Sequence, residues 1–181
     1  MTRGRMDGDG IIGTARLELV PLAEAHAEEM AGVLADPALH AFTGGSPYPV
    51  QELRARYARL VAGSPDPAQT WLNWVVRLRA DGRLAGTVQA TLTAEPDGPD
   101  GTPLRRAEVA WVIGSPWQGR GIATEAARAL TDRLREQGVA EIRAHVHPDH
   151  HASAAVARAA GLSPTAHRQD GEIRWAWTAA G

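Results

Sequence analysis

The stretch AEVAWVIGSPWQGRGIATEAARAL, residues 107–130, decides the reading of this chain. Its first seven residues alternate in the period of a strand. Glu108, Ala110 and Val112 fall on one face, and Val109, Trp111 and Ile113 on the other. Gly114-Ser115-Pro116 ends the strand, and a helix opens almost at once. Its apolar residues Ile122, Ala126, Leu130 and Leu134 recur at i, i+4, and Gly138 supplies a C-terminal stop. Between strand and helix, Gly119 and Gly121 permit a tight turn with inward backbone N–H groups. Together with the unpaired donors and dipole of the helix start, they predict an anion site for a phosphate or pyrophosphate.

Three phosphate-binding loops share this outline. A Walker A loop needs a lysine, and all 19 basic residues here are arginine, so it is excluded. A dinucleotide fingerprint needs a small third residue where Thr124 stands, and an acid ending the next strand. Glu141 begins that strand instead, which puts it at the wrong edge of the sheet. The pyrophosphate of coenzyme A is the third possibility.

Outward from this core, the chain reads as alternating short elements. Residues 1 to about 13 are polar and glycine-rich and read as a mobile leader. A strand follows in TARLELVPL (14–22), then helices over about 23–35 and 50–62, separated by the turn-rich HAFTGGSPYP. Strands over 70–79 and 83–93 meet at Asp81-Gly82, a hairpin signal. After the central unit come a strand over 141–147, a short helix over about 152–160 and two last strands. The expected fold is α+β, a mixed, mainly antiparallel sheet of about seven strands flanked by about four helices. One domain over 14–181 suits a chain of 181 residues.

Bulk composition narrows the partners. A formal charge of -2 gives no basic footprint for nucleic acid, and no apolar run is long enough to span a membrane. Without cysteine there is no thiolate nucleophile or disulfide framework, and a cytoplasmic location is the default expectation. His145, His147, His150 and His151 cluster, but no carboxylate or cysteine pattern completes a metal spacing, so no metal is expected.

Gln118-Gly119-Arg120-Gly121-Ile122-Ala123 resembles the GNAT superfamily signature Gln/Arg-x-x-Gly-x-Gly/Ala, and the element order is similar to that fold over residues 14–178. The opening TARLELVPL and the later HPDHHASAAVARAAGL resemble the ribosomal-protein-alanine acetyltransferase-like branch. This resemblance implies an acetyl-CoA-dependent N-acetyltransferase. Its acceptor would be a peptide or protein N-terminus or a small-molecule amine, and a homodimer is a family-level expectation. A non-catalytic CoA-binding domain of the same fold is the alternative.

The resemblance also implies site residues. Backbone groups from Gly119 through Gly121, Ile122, Ala123 and Thr124 would cradle the pyrophosphate, with Gln118 opening the turn. Arg120 would either add charge toward a phosphate or stand solvated. Val112 and Ile113 would pair with pantetheine, the Val112 N–H polarising the thioester carbonyl. Glu108 occupies the place of the family's base; otherwise it is an edge-exposed carboxylate or a partner of Arg105 or Arg106. The tyrosine that many relatives use as acid is replaced by Ala157. Ser153, one turn earlier, either hydrogen-bonds the CoA sulfur or caps the helix. His150 stands where asparagine is usual. His147 is a reserve acid/base group. Phe42 and Tyr48 would border the acceptor cleft.

Overall fold

The protein is described by a computed structural model covering residues 10–95 and 103–180. The stretch EPDGPDGTP (95–103), whose low apolar content predicts a flexible loop, lies outside the described residues except at its two ends, as does most of the leader. In chain order the elements are β1 (Ile12–Gly13), β2 (Leu17–Pro21), α1 (Ala27–Val33), α2 (Val50–Ala62), β3 (Gln69–Leu78) and β4 (Leu84–Glu95). They continue as β5 (Leu104–Ile113), α3 (Ile122–Glu136), β6 (Glu141–Val146), α4 (His151–Ala159), β7 (Ser163–Gln169) and β8 (Glu172–Thr178). Among the described residues the sheet has eight strands, in the order β1-β2-β3-β4-β5-β6-β8-β7. The extra strand is β1, where Ile12 pairs with Leu19 and Gly13 with Glu18. The carbonyl of Gly10 also accepts the Trp74 indole N–H at 3.2 Å. The end of the expected leader is therefore tied to the sheet.

The central helix forms as its pattern dictates. Ile122, Ala126, Leu130 and Leu134 are all buried, each large aliphatic contributing about 1.5–3 kcal/mol through the apolar area it removes from water. Glu125 in the first turn and Arg133 and Arg135 in the last complement the dipole. Of the tryptophans, Trp74, Trp117 and Trp175 belong to the core, while Trp111 and Trp177 pack against it half-buried. Among the described residues no helix is long and apolar enough to cross a membrane.

The sheet opens where the site lies. β5 runs parallel to β6 only at Arg106↔Glu141, Ala107↔Ile142 and Glu108↔Arg143. Beyond that point β5 stays with β4 as far as Ile113, while β6 stays with β8 as far as Val146. The two strands diverge, and among the described residues no strand pairs with that edge of β5 from Val109 to Ile113.

Candidate active site

The direction of the free edge follows from alternation along β5. Gly114 N–H donates to the Ala85 carbonyl on β4, and a Cβ on Gly86 would collide with the Val112 carbonyl oxygen. Val112, two residues before Gly114 with no register shift between, therefore turns its main-chain groups toward β4. On the other side, the Arg105 carbonyl accepts from Ala140 N–H beside β6. Val109, Trp111 and Ile113 share that direction and face the opening. This corrects the donor expected at Val112: its N–H belongs to the β4–β5 ladder, and the N–H groups turned to the open edge are those of its neighbours Trp111 and Ile113. Ile113 stays on the open edge, where its carbonyl accepts from Gln118 Nε2 at 3.0 Å. Gln118 thus pins the turn to the end of the strand.

In that turn Gly119 and Gly121 adopt φ of 73° and 74°, the left-handed region that disfavours a side chain. Among the described residues, no acceptor meets the backbone N–H of any residue from Gly119 through Thr124; the first bonded donor is Glu125 N–H, to the Gly121 carbonyl. A Cβ on Gly119 would meet nothing within 4 Å, so the cradle is open on its outer side. This run of donors at a helix N-terminus fits a pyrophosphate. The Arg120 side chain is exposed, while its carbonyl accepts from Arg16 Nη1 at 2.9 Å.

Glu125 braces this turn. It accepts from Thr14 Oγ1 at 2.5 Å and from Arg16 Nε at 2.6 Å. Burial opposes its ionisation, but the hydrogen bonds and charge from Thr14 and Arg16 outweigh it and hold its carboxyl below the usual range. Ser115 Oγ donates to Asp36 Oδ2 at 2.5 Å, tying the turn to the segment after α1. That bond, with the Ala38 N–H, lowers the Asp36 pKa.

Trp111 lies half-buried against the cluster formed by Ala127 of α3, Val156 of α4 and Ala160 just after α4. Its indole N–H donates to Ser153 Oγ at 3.1 Å. An indole nitrogen only donates, so the serine oxygen accepts and its own proton stays available. The capping alternative for Ser153 is taken by another residue, because His150 Nδ1 accepts the Ser153 backbone N–H at 3.4 Å. His150 also stacks on Phe42, with centroids 4.4 Å apart. Burial, then the neighbouring His147 and His151, push its pKa down.

Glu108 lies on the opposite face of β5, its side chain 58% exposed. It pairs with neither Arg105 nor Arg106; Arg106 instead bridges Glu95 and Glu141. Its partner is His145, whose Nδ1 lies 3.2 Å from Glu108 Oε1. Arg174 Nε donates to His145 Nε2 at 3.4 Å, so the imidazole proton resides on Nδ1 and points to the carboxylate. His147 Nδ1 accepts from Asp149 N–H at 3.1 Å, within its own loop. No group of three or more histidines and carboxylates among the described residues is arranged to hold a metal.

On the Glu108 face lies a cleft of about 400 Å³ between α2 and the sheet. Of the two aromatics expected at the acceptor cleft, Tyr48 lines this one and Phe42 does not; Tyr57, Asn73 and Gln89 line it too, and none of these three stood out in the sequence. Their only signal was position: Tyr57 occupies the apolar face of α2, and Asn73 pairs with Gln89, which pairs with Ala110.

The model of the acetyltransferase (GNAT) domain matches residues 16–163, and the chain belongs to that family. No curated protein matches it by sequence. Among solved structures, it is similar to an acetyltransferase from Agrobacterium tumefaciens, with TM-score 0.68, 24% identity, and 99% and 100% of the two chains covered. It is also similar to the Salmonella typhimurium acetyl transferase that modifies the N-terminal serine of ribosomal protein L7/L12, with TM-score 0.71, 16% identity, and 94% and 100% covered. A third is RimL, the L7/L12 alpha-N-protein acetyltransferase, in complex with coenzyme A, with TM-score 0.71, 17% identity, and 93% and 98% covered. At these identities the likeness shows the fold.

Proposed function

We propose that this acetyltransferase moves an acetyl group from acetyl-CoA to a primary amine, a peptide N-terminus or a small-molecule amine, in a ternary complex. The observation that carries this reading is the run of N–H groups from Gly119 through Thr124 that meet no acceptor among the described residues, placed directly after the open edge of β5. Bound acetyl-CoA supplies the thioester whose C–S bond breaks as the amine nitrogen forms its C–N bond.

The protein's part is positioning and proton movement. The Gly119–Thr124 amides hold the pyrophosphate, and the open edge of β5 takes the pantetheine arm. The Trp111 backbone N–H donates to the carbonyl oxygen that gains charge. Glu108 takes the amine's proton, directly or through one water, with His145 holding its carboxylate in place. Ser153 turns its free hydroxyl proton toward the departing sulfur. The N-terminal serine chemistry of the Salmonella typhimurium neighbour makes an α-amino acceptor the natural first choice.

Release of free CoA thiol, measured over an amine and peptide panel, tests this reading. Release with the native protein and its loss in Glu108→Gln is the expected result. Stabilisation by acetyl-CoA without turnover on any acceptor would indicate a non-catalytic CoA-binding domain instead.

A further inference from the structure

We propose that Tyr57, together with Asn73 and Gln89, reads an uncharged amide on the acceptor beside its amine, which makes these residues determinants of acceptor choice. The proposal rests on the acetyl-transfer reading above. Tyr57 is 3% exposed, and its hydroxyl is buried without a hydrogen-bond partner among the described residues. A buried hydroxyl left unpaired costs about 1–3 kcal/mol, so it calls for a partner, and a ligand in the cleft that this side chain lines can supply one. The residue lines the acceptor cleft from the α2 side. Burial pushes the phenol up to about 12, so at neutral pH it is a donor and not a base.

The opposite wall has matching chemistry. Asn73 and Gln89 sit side by side across β3 and β4, in the row that continues to Ala110. Neither side chain is hydrogen-bonded to another described residue. A primary amide offers both donor and acceptor, which is the complement of an amide on a ligand. Glu108 lies one step along the same face from Ala110, so a group held in this row has its amine beside the carboxylate.

Charge excludes the competing acceptors. None of the described residues lining the cleft is a carboxylate; His40 lines it, and so does one arginine, Arg56, whose Cζ lies 5.6 Å from the Tyr48 ring centroid. A polyamine or aminoglycoside would bring further ammonium groups into a cleft with nothing to neutralise them. A single amine flanked by an amide and an apolar side chain meets no such cost.

Matched acceptors test the proposal. With saturating acetyl-CoA, CoA release is measured on the amides of alanine, leucine and phenylalanine. The same is done with ethylamine, isopentylamine and 2-phenylethylamine, which lack only the carboxamide, and with spermidine. The native protein should show a KM about ten-fold lower for each amide than for its paired amine, and no turnover of spermidine. Tyr57→Phe should raise KM for the amides about ten-fold, leave the plain amines unchanged, and melt at the same or a higher temperature than the native protein. An undiminished gap in Tyr57→Phe, or efficient turnover of spermidine, would overturn the proposal while leaving acetyl transfer standing. A lower melting temperature would mean the hydroxyl is already satisfied in the free protein, and would also overturn it. CoA release from no acceptor at all would remove the transfer reading and this one with it.

Discussion

Trp111 and Ser153 are joined across the gap between β5 and α4 by one hydrogen bond of 3.1 Å, from the indole N–H to the serine oxygen. The bond orients the serine side chain and occupies one of its oxygen's two lone pairs, so the hydroxyl proton stays free for a ligand. A side chain chosen by the sheet thus sets the chemical role of one chosen by the helix.

If the two residues act as a unit, their substitutions will not add. Trp111→Phe keeps an aromatic ring against Ala127 and Val156 but loses the N–H, and Ser153→Ala loses the hydroxyl. Each should lower kcat about ten-fold, and the double variant should be no slower than the worse single. Additive losses would show that the indole does not act through Ser153. A thermal melt of each variant checks that the core between α3 and α4 remains packed.

Glu108 and His145 make a second coupled pair, with a different expected signature. Removing the base by Glu108→Gln should cost about 10²–10⁴ in kcat with little change in acceptor KM. His145→Phe leaves the carboxylate in place but free to rotate, and should cost less, about ten-fold. In the background of Glu108→Gln, the His145 substitution should have no further effect on kcat. Steady-state kinetics on one acceptor across the four proteins decides it.

The phosphate cradle offers a test of backbone geometry alone. A Cβ at Gly119 meets no atom within 4 Å, so Gly119→Ala introduces no clash and isolates the cost of a positive φ. It should lower stability by about 1 kcal/mol or slightly more. Because the turn then shifts its N–H groups, the affinity for CoA should fall as well, with kcat at saturation nearly unchanged. Calorimetric titration with CoA and a denaturant melt separate the two effects.

The sequence made the cradle legible because its determinants are local. A strand period, two glycines and a helix stripe are each visible within a few residues. The sheet's opening was legible only through the pantetheine pairing that the family resemblance implies at Val112 and Ile113, since the end of β5–β6 pairing depends on where β6 turns to β8. Direction along the strand was misjudged at Val112 for a related reason. Side-chain alternation can be read from a sequence, but which residues bond to which neighbour depends on the register, here revealed by Gly114 and Ala85. The His145–Glu108 contact needs that register too, and the Arg174 contact adds a third strand from the end of the chain. The Tyr57 hydroxyl could not be found by pattern at all: as an apolar ring it fits the α2 stripe, and only packing shows its oxygen unpaired. β1 is two residues long, too short for any period to register.

His150 gives the molecule a pH dependence whose sign can be worked out. Its Nδ1 caps α4 by accepting the Ser153 N–H, which only the unprotonated nitrogen can do. Burial first, and the neighbouring His147 and His151 second, hold its folded pKa below the usual 6.5, while the unfolded chain has no such constraint. Below the unfolded value the unfolded state binds the proton more readily. The stabilisation is therefore complete above that value and is lost as pH falls from it through the folded pKa. His150→Asn keeps a capping oxygen but does not titrate, so it should resemble the native protein near pH 8 and melt higher than it near about pH 5.5. His26, whose pKa is also depressed by burial, titrates in the same region but is common to both proteins and cancels in the comparison. Glu125 and Glu141 are held below the usual carboxylate range, so their loss belongs to a more acidic window. Thermal melts of the two proteins at both pH values measure the difference, and equal falls in melting temperature would show that the cap does not titrate.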